Sequence, residues 1–151
     1  VLNGLKQLTE KIPLDNWVMV HDAARPCLRH SDIDRLIKEL KDHAVGGILG
    51  VPVSDTMKRS DEKGQIKETV NRNGLWHALT PQIFRLGELT NAIESAIDNG
   101  LKITDEASAM ELQGQQPMMV AGQADNIKIT RPQDLKLAEL YLSQQSIKDT
   151  Q

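Results

Sequence analysis

The 151-residue chain carries 18 Lys and Arg against 21 Asp and Glu, a formal charge of −3, with 39% apolar and 26% charged residues. That balance fits an ordinary globular domain with its own core, and it excludes a disordered chain and a broadly basic nucleic-acid surface. The single cysteine, Cys27, excludes an internal disulfide, no apolar run reaches membrane length, and a reducing, cytoplasmic location is expected.

Val1, Leu5, Leu8 and Ile12 fall at helical spacing, so the chain is expected to begin inside a helix that Pro13 ends. The opening residues read as neither a signal peptide nor an initiator region. Asn16 to Val20 is a short apolar, partly β-branched run and reads as a buried strand over 16–21. Its tip is His21-Asp22-Ala23-Ala24-Arg25-Pro26, a loop at the carboxyl end of a strand, where ligands sit in open α/β sheets. Asp22 offers a carboxylate suited to a metal or a sugar hydroxyl, and Arg25 a planar fork suited to a phosphate. Equally, the two could simply pair with each other in a strand-ending turn.

Ser31 is the expected cap of the next helix, with Asp34 three residues on and Ile33, Leu36, Ile37 and Leu40 as its buried stripe. Gly46-Gly47 breaks that pattern. Ile48 to Val53 reads as a strand that Pro52 places at an edge or carries out of the sheet. Residues 54–70 are polar and extended around a Ser60 to Gly64 turn, the pattern of a hairpin arm leaving the body. Asn71 to Gly74 is a turn that brings Arg72 to the base of the arm, and Leu75 to Phe84 returns toward the sheet.

Leu89, Ile93 and Ile97 give a helix closed by Gly100, and Thr104 is the expected cap of a short helix that Gly114 closes. Residues 117–121 and 126–130 read as strands. Pro132 opens a last helix with Leu135, Ala138 and Leu142 as its buried side, and the polar tail from Ser143 is expected to fray. Strands alternating with helices argue one α/β domain over 1–151, a three-layer sandwich around a mostly parallel, Rossmann-like sheet with one β-hairpin arm, residues 54–72.

Motif spacing excludes a P-loop, a nucleophile-elbow serine and a His/Cys metal site. What remains is loop-borne Asp, Arg, Lys and Thr, a set suited to phosphate chemistry, where catalysis is positioning and charge neutralisation.

Several blocks, in order, resemble the 2-C-methyl-D-erythritol 4-phosphate cytidylyltransferases of the non-mevalonate isoprenoid pathway. They are the 21–26 hexapeptide, Val51-Pro52-Val53 with Asp55 to Lys58, Asn71 to Gln82, Thr104 to Ala109, and Asp125 to Thr130. The resemblance implies a nucleotidyltransferase that joins a methylerythritol phosphate to the CMP part of CTP and releases pyrophosphate, with a divalent metal, usually Mg²⁺. It implies Asp22 and Arg25 in the active site, Thr80, Thr104 and Lys128 lining the same pocket, and Asp125 as a metal-side carboxylate with Asp22. Thr56 and Arg72 would reach the substrate phosphate of a neighbouring subunit from a swapped arm, making the enzyme a homodimer. Arg72 and Lys128 are the implied catalytic groups. The family's N-terminal glycine-rich CTP loop has no counterpart in these residues. A related ribitol 5-phosphate cytidylyltransferase and a non-catalytic dimerisation fragment are the alternatives, and the Trp76-His77-Ala78-Leu79 stretch leans toward the methylerythritol family.

Overall fold

The computed structural model describes residues 1–148, with side chains to Gln145. In chain order the elements are α1 (Leu2–Thr9), β1 (Trp17–Val20), α2 (His30–Leu40), β2 (Gly46–Pro52), β3 (Met57–Ser60), β4 (Ile66–Val70), β5 (Trp76–Arg85), α3 (Leu86–Asp98), α4 (Glu106–Leu112), β6 (Met118–Ala121) and α5 (Pro132–Lys148). Four strands form the main sheet in the order β1-β5-β2-β6. β2 and β6 pair in parallel, whereas β5 lies antiparallel to both β1 and β2. Three strands therefore point one way, and the long β5 returns against them.

Each strand splits its side chains between two faces, as a period of two requires. Val18, Ile48 and Phe84 face Leu5 of α1, Leu86, Leu89 and Ile93 of α3 and Met110 of α4. Their neighbours Leu49, Ile83 and Val120 face Leu36 and Leu40 of α2. Two apolar layers on either side of one sheet make the three-layer sandwich.

Gly46 and Gly47 open β2 rather than merely ending the pattern of α2. A Cβ on Gly47 would lie 2.2 Å from the Met118 carbonyl oxygen, and one on Gly46 2.2 Å from that of Ile83. The two glycines let β5 and β6 close on both sides of β2. β2 is thus central, and Pro52 is its last residue, one register beyond Val51 and past the end of the β6 pairing at Gly50.

β3 and β4 form a separate two-stranded sheet, the expected arm. All of β3 is exposed, and only Val70 of β4 is half-buried. Local bonds hold it: Lys58 Nζ donates to Thr69 Oγ1 at 2.6 Å, Arg59 Nε to Glu68 at 2.8 Å, and the Asp61 carboxylate accepts the Lys63 and Gln65 amides.

α3 ends as its glycine demands. Gly100 has φ +65°, with its amide on Ile97 O and the Leu101 amide on Ala96 O, the paired bonds of a Schellman close.

Four expectations fail here for identifiable reasons. Ser31 does not cap α2: the helix starts at His30 after an extended Arg29, and no side chain caps it. Thr104 does not cap α4: Asp105, one residue later, accepts the Ser108 amide, while Ser108 Oγ receives the Asp105 amide. Residues 126–130 form no strand, because their polar groups bond across the loop after β1, with the Ile129 amide on Ala24 O. Among the described side chains of α5 only Ala138 is buried; Leu135 and Leu142 are exposed. Its leucines are scattered round the helix instead of sharing one stripe. The helix runs unfrayed to Lys148, and the rest of the tail expected to fray lies outside the described residues.

Gly47→Ala should weaken the β2–β6 pairing and destabilise the chain by about 1–3 kcal/mol, the range for overpacked sites. Urea unfolding with unchanged m-value would measure it, and a midpoint equal to the parent's would refute the close approach.

Candidate active site

The site lies at the carboxyl end of β1, where the chain leaves the sheet and three other segments converge. Asp22 donates its amide to Thr80 Oγ1 at 3.0 Å, which pins the loop after β1 to the middle of β5. Arg25 turns inward, and its guanidinium donates to Asn126 O at 2.8 Å. Asn126, fully buried, donates its side-chain amide to Thr80 O at 2.8 Å. The irregular segment 122–128 after β6 is thereby fastened to both the β1 loop and β5.

This fastening delivers Lys128, whose Nζ lies 3.0 Å from Asp22 Oδ2; Arg25 Nε approaches the same oxygen at 3.5 Å. The Lys128 hydrogen bond is the main reason the Asp22 carboxyl is held below the usual carboxylate range, with burial opposing it and the charges of Lys128 and Arg25 adding to it. Asp22 and Arg25 do pair, as a plain turn would have them, but within a larger cluster of charge.

Asp22, Arg25, Thr80, Thr104 and Lys128 together line one cavity of about 280 Å³. A larger one of about 600 Å³ shares Arg25, Ala78, Leu79 and Lys128 with it and adds Val51, Trp76 and His77. Five of the residues singled out from sequence thus converge on one space. The floor is set by Gln82, which sequence reasoning missed. Buried in β5, it donates to Asp105 Oδ2 at 2.9 Å and accepts the Ala107 amide at 2.8 Å, so it holds the start of α4, and with it Thr104, against the sheet. A lone glutamine before Ile83-Phe84 was its only signal. Asn126 was missed in the same way.

Three predicted residues lie elsewhere. Thr56 and Arg72 are exposed at the base of the arm, outside both cavities, and the Arg72 guanidinium donates to Ser54 O. Asp125 is not brought to Asp22. Its Oδ2 is held by the Arg29 guanidinium and accepts from Gln145 Nε2 at 3.3 Å, and it lines neither cavity. The pull of Arg29 from the start of α2 turns it away. Among the described residues no group of three acidic, His or Cys side chains could hold a metal. Asp22 alone fits one: it is ionised, half-exposed and beside the cations that would receive phosphates. A single carboxylate completed by waters and substrate phosphates is a common Mg²⁺ arrangement.

Asp22 and Arg25 after β1 and Lys128 after β6, gathered with Thr80 of the antiparallel β5 and with Thr104, make a phosphate-suited site on an α/β domain of the nucleotidyltransferase type. A family profile described as 2-C-methyl-D-erythritol 4-phosphate cytidylyltransferase matches residues 1–144, and the chain belongs to that family. A curated relative so named from Hahella chejuensis is 54% identical over 142 residues, 94% of this chain and 59% of the relative. One from Vibrio atlanticus is 58% identical over 144 residues, 95% of this chain and 61% of the relative. A crystal structure titled as that cytidylyltransferase from Francisella tularensis superposes with a TM-score of 0.84 at 39% identity, covering 93% of this chain and 65% of the other. The chain spans about three-fifths of the length of the curated relatives it matches.

Replacing Lys128 by Met should raise the Asp22 pKa toward the usual carboxylate value. Because a depressed carboxyl stabilises the fold above its unfolded pKa and loses that contribution as pH falls through the folded one, the parent should be more stable than the variant near neutral pH and lose that advantage as the solution is acidified. Carboxyl-carbon NMR titration reads the shift, and an Asp22 midpoint unaltered by the substitution would dismiss the pairing.

Proposed function

We propose that this chain is the major part of an enzyme that transfers CMP from CTP to 2-C-methyl-D-erythritol 4-phosphate and releases pyrophosphate, in isoprenoid precursor synthesis. The observation that carries the reading is the shared cavity of Asp22, Arg25, Thr80, Thr104 and Lys128 in a chain of this family. The relatives are named for methylerythritol phosphate, which favours it over ribitol phosphate.

In this reading a phosphate oxygen of the sugar phosphate attacks the α-phosphorus of CTP, the new P–O bond forms, and the bridging P–O bond breaks with its electron pair leaving on pyrophosphate. Two anions must approach each other, so positive charge fixed beforehand lowers the barrier. Lys128 and Arg25 supply that charge within the cavity. Asp22 would hold a Mg²⁺, which would supply further positive charge to offset that of the phosphates. Thr104 contributes a hydroxyl at the start of α4. The enzyme acts in the cytoplasm; no helix of the described residues is long and apolar enough to cross a membrane.

The arm, residues 54–72, embraces a second copy of the chain and carries Thr56 and Arg72 to the partner's substrate phosphate. Its support is physical: a two-stranded sheet is marginal alone, and this one is exposed over nearly its whole surface. A bidentate guanidinium suits a phosphate better than an ammonium, so Arg72→Lys is already costly. Losing such a charged contact costs about 2–5 kcal/mol. The test mixes Arg72→Ala and Lys128→Ala subunits, each inactive alone, in the protein at the length of its relatives. If Arg72 acts across the interface, mixed dimers regain partial cytidylyl transfer, since one site in each carries neither defect. Heterodimers with no recovered turnover would reject the trans assignment.

A further inference from the structure

Two side chains at the mouth of the β1 loop share three hydrogen bonds whose directions follow once the His21 ring is neutral. His21 Nε2 lies 3.0 Å from the Arg25 carbonyl oxygen. A carbonyl only accepts, so Nε2 carries the proton, and in a neutral imidazole Nδ1 is then the acceptor. Thr80 Oγ1 lies 3.0 Å from Nδ1, so the threonine hydroxyl donates its single proton to His21. The same oxygen accepts the Asp22 amide at 3.0 Å. With its donor and one lone pair spent, Thr80 has only a lone pair to offer the cavity it lines beside Asp22 and Lys128.

We propose that His21 is a positioning residue that fixes the Thr80 hydroxyl as an acceptor, so that Thr80 reads a hydroxyl group of the bound sugar phosphate and not its phosphate. This rests on the functional reading above, in which the substrate is a polyol phosphate. An ionised phosphate oxygen brings only lone pairs and would face the lone pair of Thr80. A polyol O–H brings the proton that lone pair needs. The cations Arg25 and Lys128 receive the anionic groups, and the His21–Thr80 pair sorts the hydroxyl end from them. A side chain at position 21 without an acceptor near Nδ1 would free the Thr80 proton and erase the distinction.

The first test is spectroscopic and independent of turnover. In the ¹⁵N-labelled 151-residue chain, two-bond ¹H–¹⁵N correlations of the His21 ring should show a protonated Nε2 and a bare Nδ1. In Thr80→Val the Nδ1 resonance should move downfield as its hydrogen bond is lost. A protonated Nδ1, or an Nδ1 resonance that ignores the valine, overturns the proposal. The second test is kinetic, in the protein at its relatives' length. His21→Ala should raise KM for the sugar phosphate about tenfold, the worth of one hydrogen bond, with kcat changed less. His21→Asn, which keeps an acceptor close to the Nδ1 position, should recover most of that loss. In a Thr80→Val background His21→Ala should cost nothing further. Additive losses, or an asparagine variant as impaired as the alanine, reject the positioning role. A protein that turns over no CTP with a sugar phosphate defeats the functional reading instead, and the spectroscopic result then decides the proposal alone.

Discussion

Asn126 sits in a stretch with no ladder of its own, yet three parts of the site meet on it. Its side-chain amide bonds to Thr80 O in β5, and its carbonyl receives the Arg25 guanidinium from the β1 loop. Lys128 reaches Asp22 only because the segment two residues earlier is fastened this way. The arrangement has a cost: Asn126 Oδ1 is buried with no hydrogen-bond partner, a penalty of about 1–3 kcal/mol for such a group. A strand in place of this loop would spare the penalty. It would also fix alternate residues to opposite faces, and Lys128 would then be bound to the register of the sheet rather than to the loop it serves. Removing the Asn126 side chain therefore threatens the site before it threatens the core, whose two apolar layers it does not join.

Period and punctuation carried much of the architecture. Apolar runs at 17–20 and 48–51 became strands because their alternating side chains found helices on both faces. Gly100 and the polar tract around Ser60 to Gly64 each did what their backbone freedom or turn chemistry requires. Several failures share one cause: a polar residue's partner was decided by distant chain. Ser31 and Thr104 have capping chemistry, but position 105 took the role at α4 because Asp105 also meets Gln82 from the sheet. Asp125 has the chemistry of a metal ligand, yet Arg29, 96 residues away, is its partner. Residues 126–130 alternate like a strand and lack a neighbour to pair with. The cavity itself was legible through Asp22, Arg25, Thr80, Thr104 and Lys128, which are loop and strand-end residues. Gln82 and Asn126, which place them, read as ordinary strand polarity.

The charges of the site follow an economy that bears on its ligands. Asp22 faces both Lys128 and Arg25, so one carboxylate meets two cations and the cluster keeps a net positive charge for an anion. Arg25 Nε faces Asp22 Oδ2 at 3.5 Å, and the bond to Asn126 O uses one donor at the other end of the guanidinium. A guanidinium is always charged and has five donors. An incoming phosphate can therefore add bonds to Arg25 without breaking the one to Asn126. Lys128 is different: its ammonium is partly exposed and free to swing on a flexible stem, so an anion can draw it from Asp22. Arg25 acts as the fixed charge and Lys128 as the movable one.

The arm sets a separate constraint. Its cross-strand pairs, Lys58 with Thr69 and Arg59 with Glu68, are polar and exposed, and such pairs contribute only about 0.2–1 kcal/mol each. Two such pairs and an Asp61 turn do not outweigh the entropy of ordering fourteen or so residues at about 1–2 kcal/mol apiece. The hairpin is thus the least self-sufficient part of the chain. Its base is anchored, since the Val53 amide bonds to Leu75 O at 3.0 Å and Val70 is half-buried. Beyond that base, in the dimer proposed above, the partner's surface would supply the missing burial. Arg72 stands where the anchored base meets the unsupported strands, so its side chain inherits a fixed backbone and an open surroundings. In the proposed dimer that rigid root would let the Arg72 guanidinium, which donates to Ser54 O in the single chain, turn to the partner's phosphate.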